Sequence, residues 1–124
     1  MKTFNIMNAV FYIAYGLFGA FVPACMAKIM GWTPDLLGMH QLRAMFMAMA
    51  TMGLAAFITA KKSSDQAPLL MVFIALTLAF MVGRFLGLIL DGVGPVQTYA
   101  EIAFEMTWAS IGAVLLKRGM RVKA

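Results

Sequence analysis

Charge is scarce in this chain: Asp, Glu, Lys and Arg make up only 12% of its 124 residues, about half the ~25% of a soluble globular domain. A single cysteine excludes an intrachain disulfide framework and the multi-cysteine cages of structural zinc and iron–sulfur clusters. No P-loop, dinucleotide fingerprint, paired-histidine metal motif or nucleophile elbow is present, so the usual soluble enzyme classes have no footing. Low-complexity linkers and internal repeats are missing too. What fills the chain is apolar: 63% of the residues, against the usual ~45–50%. Too few polar side chains remain to coat a water-soluble monomer. The net charge of +5 does not point to nucleic acid, because the basic residues sit at the ends of long apolar runs. Anionic lipid headgroups are a sufficient partner for them.

Crossing a hydrocarbon core takes about 20 apolar residues. Four runs approach that length, at residues 6–26, 44–60, 68–90 and 102–116. Start signals upstream lengthen two of them. Thr33-Pro34-Asp35 offers a hydroxyl N-cap, a proline at the first helical position and an acid in the first turn. Pro95, after the loop at residues 91–94, suits another first turn. The expected fold is therefore all-α: an integral membrane up-down four-helix bundle in one domain over residues 1–124, with helices at about 6–27, 34–61, 67–90 and 95–117. Gly16, Ala20 and Ala24 in the first helix, and Gly83 and Gly87 in the third, are spaced for close approach between neighbouring helices. Pro23 is expected to kink the first helix.

Orientation follows from the basic residues. With four crossings, one side holds Lys2, Lys61, Lys62, Lys117, Arg118, Arg121 and Lys123 against one acid, Asp65. The other holds Lys28, Arg43 and Arg84 against Asp35, Asp91, Glu101 and Glu105. Both termini are thus expected to be cytoplasmic. Val22-Pro23-Ala24-Cys25 faintly resembles a lipoprotein cleavage box, but proline fits it poorly, so the first segment is expected to stay as a span.

Ionisable residues inside the apolar runs are the most informative feature. Arg84 lies ~10 Å below the outer end of its helix, and Glu101 and Glu105 lie ~9 and ~15 Å into the next one from the same end. A lone charge at the centre of a bilayer helix costs about 2.5–3.5 kcal/mol on insertion scales, so such groups face the protein interior and find partners. Glu101 and Glu105, four apart, share a face. The expected object is a cluster of Arg43 and Arg84 against Glu101 and Glu105, with Asp91 at its rim, His40 nearby and Trp108 one turn beyond Glu105. Two readings are open: a neutral ion-pair network that fixes which helices pack together, or a polar pocket for a small ligand or a proton.

The order Gln41-Leu42-Arg43-Ala44, then Gly83-Arg84-Phe85-Leu86-Gly87-Leu88 through Asp91-Gly92, then Glu105, resembles the uncharacterised bacterial membrane proteins known as domain of unknown function 4345. The likeness runs over residues 37–116 and is densest at 83–92. It implies a small four-helix protein of the bacterial inner (cytoplasmic) membrane, with no activity attached. In that family the arginine-alanine pair tends to be followed by an aromatic and two glycines; here Met45, Phe46 and Met47 follow, which removes glycines suited to close packing.

Of the 13 methionines, Met45, Met49 and Met52 fall on one face of the second helix. Thioethers select Cu(I), with His40 and Cys25 as conceivable helpers, but methionine also fills irregular helix interfaces. Cys25 is expected to be a small buried hydrophobe, Trp32 and Tyr99 to be interfacial anchors, and Tyr12, Tyr15 and Trp108 to lie deeper. No cofactor is expected. The functional expectation is an accessory or assembly subunit of a membrane complex, or a homo-oligomer, without catalysis of its own; the alternative is a transporter or enzyme handling a small ligand or protons through the Arg/Glu cluster.

Overall fold

The computed structural model describes residues 1–121; Lys123, counted above among the basic residues, lies outside the described residues. Five helices follow one another: α1 (Lys2–Phe21), α2 (Pro23–Ile29), α3 (Leu36–Lys62), α4 (Ala67–Leu90) and α5 (Val96–Arg121). All but α2 are long and apolar enough to cross a membrane. The protein is therefore a multi-pass membrane protein whose apolar helices meet lipid. Two compact units divide the chain near residue 63: α1, α2 and α3 form the first, and α4 and α5 the second.

Helix ends differ from the sequence expectation where capping decides them. Asp35, not Thr33, is the N-cap of α3: its carboxylate accepts the Gly38 N–H at 2.7 Å, and the helix starts at Leu36. The first expected helix is two helices. Pro23 has no N–H to continue the ladder, Val22 leaves the helical region with ψ 55°, and α2 restarts at Pro23. A Schellman motif ends α2, with Trp32 N–H donating to the Ala27 carbonyl at 2.8 Å and Gly31 N–H to the Lys28 carbonyl at 3.1 Å. Gly31 takes φ 71° there, a value that only glycine adopts at little cost.

In the first unit, α1 and α3 meet backbone to backbone. The buried stripe of α3 runs Leu42, Phe46, Ala50, Gly53, Ala56 and Ala60, and that of α1 includes Asn5, Ala9, Tyr12, Gly16 and Ala20. A Cβ on Gly16 would lie 2.5 Å from the Ala50 nitrogen, and one on Gly53 would lie 2.7 Å from the Ile13 nitrogen. Phe46 lies across Gly19, where any side chain would overlap its ring. The small residues expected to bring helices together do so at Gly16 and Ala20, while Ala24 is exposed. Gly83 departs from that expectation: nothing lies within 4 Å of its would-be Cβ, and Gly87 meets only its own helix's Asp91 at 3.8 Å.

The second unit is more open. Leu70 and Phe73 of α4 are buried, as are Ile102, Glu105, Ala109 and Gly112 of α5. A Cβ on Gly112 would press on Ile74 at 2.9 Å.

These distances separate two glycine substitutions. Gly16→Ala forces the α1 and α3 backbones apart and is expected to destabilise the protein by about 1–3 kcal/mol. Gly83→Ala meets open space and is expected to stay within about 0.5 kcal/mol of the parent. Thermal unfolding in detergent, followed by circular dichroism, checks both.

Candidate functional site

The second unit carries the densest polar chemistry, and helix spacing builds it. Glu101 and Glu105 sit one turn apart on α5, so their carboxylates are stacked along one face. Arg84 reaches them from α4 and uses its planar fork to divide between the two: Nη1 meets Glu101 Oε2 at 2.8 Å, and Nε meets Glu105 Oε1 at 3.1 Å. Gln97, one turn before Glu101, donates its amide to Glu101 Oε1 at 3.2 Å. Both oxygens of Glu101 are thereby held. Glu105 differs, because its Oε2 is buried with no hydrogen-bond partner.

Burial grades along the set. The side chains of Arg84 and Glu101 are 32% and 35% exposed, whereas that of Glu105 is 11% exposed. The ion pair is thus half-buried in the chain taken alone. Within this trio one guanidinium faces two carboxylates, so the formal charge is −1.

Arg43, expected to neutralise that excess, is engaged elsewhere. Its Nη1 donates to the Ala20 carbonyl at 2.7 Å, across the first unit from α3 to the end of α1. The physical reason is the proline break: the kink at Val22-Pro23 takes Ala20's carbonyl out of the helical ladder, and inside an apolar layer water cannot replace the lost donor. His40 is exposed one turn before Arg43, and Asp91 is exposed at the C-cap of α4. Trp108 is half-buried and its ring stacks on Phe104 with centroids 5.6 Å apart.

The methionines of α3 have unlike surroundings. Met49 packs against the core formed by Ala20, Met26, Ala27, Leu42 and Phe46, Met45 is exposed, and Met52 is half-buried. Cys25 corrects its expectation: it is free and exposed on α2 instead of buried, since the short helix turns Pro23, Met26 and Ala27 inward. Trp32 and Tyr99 are both exposed, and Tyr12 is buried.

Two features escaped the sequence reading. The capping role of Arg43 needs the neighbouring helix end to be known; the proline at position 23 was its one visible trace. Asn5 and Asn8 lie buried on the α3-facing side of α1, with Asn8 donating back to the Phe4 carbonyl at 2.8 Å. Two amides three residues apart on a small-residue face were the available signal. The chain matches no protein-family model, and no curated protein or solved structure is similar to it.

Substitutions at Arg43, Arg84 and Glu105 read these geometries. Arg43→Met strands the Ala20 carbonyl and is expected to cost about 1–3 kcal/mol, with Arg43→Lys recovering part of the loss. Arg84→Leu leaves two carboxylates without a cation; adding Glu105→Leu to it is expected to restore stability instead of lowering it further. Unfolding midpoints of the two single variants and the double variant form the cycle that checks this.

Proposed function

We propose that this protein is a small multi-pass membrane protein of the bacterial inner membrane that works by associating with other membrane helices, as an accessory or assembly subunit or as a homo-oligomer, without catalysis of its own. The chain crosses up and down four times with both termini cytoplasmic. This topology is supported by the short connections from α3 to α4 and from α4 to α5 and by the basic residues near Lys2, Lys61, Lys62, Lys117 and Arg118. The resemblance to domain of unknown function 4345 belongs to the same reading.

One observation carries it. In the first unit Gly16 and Gly53 are closed by the neighbouring helix, but Gly83 on the most apolar helix faces nothing within 4 Å. In lipid, where helices gain no hydrophobic drive to associate, an open glycine on an apolar span is suited to close approach by another helix. The two helices of the second unit also bury the least, 17% of each apolar window against 39% in α1.

Gly83→Leu tests the reading. A Cβ there has open space for 4 Å, so the unfolding midpoint is expected to hold while the associated species disappears from native mass spectrometry in mild detergent. A parent protein that runs as a lone monomer with no co-purifying protein counts against association.

The unpartnered Oε2 of Glu105 favours a second reading, a small-ligand or proton-handling site centred on Arg84, Glu101 and Glu105. Under it, proton flux into dye-loaded vesicles is expected from the parent protein and lost in Glu105→Gln; equal flux in both removes it.

A further inference from the structure

Within the first unit, the loop from α2 to α3 borders a surface pocket of about 570 Å³ whose lining includes Ala24, Ala27, Lys28, Trp32, Thr33 and Met39. The Schellman motif shapes it by turning Trp32 back toward Ala27, and that motif consumes the N–H groups of Gly31 and Trp32. The donors left to the pocket are side chains: the Lys28 ammonium, the Trp32 indole N–H and the Thr33 hydroxyl. None of these three side-chain groups has a hydrogen-bond or ion-pair partner among the described residues. No carboxylate lines the pocket, and both ion pairs among the described residues belong to Arg84 in the other unit. Lys28 therefore has no ion-pair partner among the described residues. Around it the walls are mostly apolar, and the same two helices expose Ile29 and Leu36.

We propose that this pocket seats the headgroup phosphate of an anionic phospholipid. Three side-chain donors on the lining of a pocket that no carboxylate lines call for an acceptor-rich anion, and apolar walls call for that anion to carry an apolar tail. A zwitterionic headgroup brings its own ammonium beside Lys28, where like charges repel; a phosphatidylglycerol headgroup brings none. Tryptophan and lysine are both common at the headgroup level of that layer. The proposal rests on the reading of the four helices as membrane spans.

With Trp108→Phe in place, Trp32 is the sole tryptophan of the chain. This protein is inserted in phosphatidylcholine vesicles carrying equal amounts of either brominated phosphatidylglycerol or brominated phosphatidylcholine, and Trp32 quenching is compared. Brominated phosphatidylglycerol is expected to quench about fivefold more effectively, the preference that one lysine near an anionic headgroup supplies. Lys28→Gln is expected to abolish the preference, and Lys28→Arg to keep it. The pair Lys61→Gln and Lys62→Gln, at the far end of α3, is expected to leave it unchanged. Equal quenching by the two lipids overturns the assignment. So does loss of the preference in the Lys61 and Lys62 variant, which marks general attraction to the surface, or relief of quenching by inorganic phosphate, which marks a free-anion site. Insertion is scored separately by resistance to alkaline carbonate: a chain that fails to insert refutes the membrane reading as well, whereas an inserted chain without lipid preference refutes the pocket alone.

Discussion

An apolar layer offers no water to a polar group, so every such group within it must be answered by the protein. This constraint is visible throughout the chain. Hydroxyls on the spans fold back onto their own helix: Thr51, Thr59, Thr77 and Thr107 each donate to the carbonyl four residues earlier at 2.9 Å, and Ser110 does so at 2.7 Å. Where a helix is broken, the remedy comes from a neighbour, as when Arg43 takes the Ala20 carbonyl next to the proline break. Where charge is carried into a span, as in Glu101 and Glu105, an arginine on the adjacent helix divides itself between both acids.

Two arginines thus solve different versions of one problem. Arg43 holds a neutral carbonyl and leaves its positive charge uncompensated, while Arg84 holds two negative groups and leaves one charge in excess. A neutral four-member cluster, expected from formal charge alone, is replaced by a cap and an acid-rich trio. The distinction matters for function because a cap explains the fold geometry with no ligand at all, whereas Glu105 Oε2 is a buried polar atom of the trio with no hydrogen-bond partner.

The two units also illustrate how small residues acquire different meanings. Gly16 and Gly53 are indispensable to the α1–α3 contact because backbone atoms occupy the space that a side chain needs. Gly83 and Gly87, four apart on α4, have no such neighbour. Trp32, similarly, reads as an interfacial anchor from its position, but the turn made possible by Gly31 places it in a pocket with an unpaired lysine. Residue type was legible in each instance; the neighbour across the gap was not.

Hydropathy and length by themselves determined the all-helical architecture, the four long apolar helices, the break at Pro23 and the company of Arg84 with Glu101 and Glu105, since these follow from local backbone chemistry and from depth along a helix. Only the tertiary structure decided that Asp35 starts α3, that Arg43 serves Ala20 instead of the acids, that Cys25 is exposed and that Gly83 is open. Capping, pairing and close approach depend on which atom stands a few ångströms away on another segment, and one-dimensional spacing carries no record of that distance.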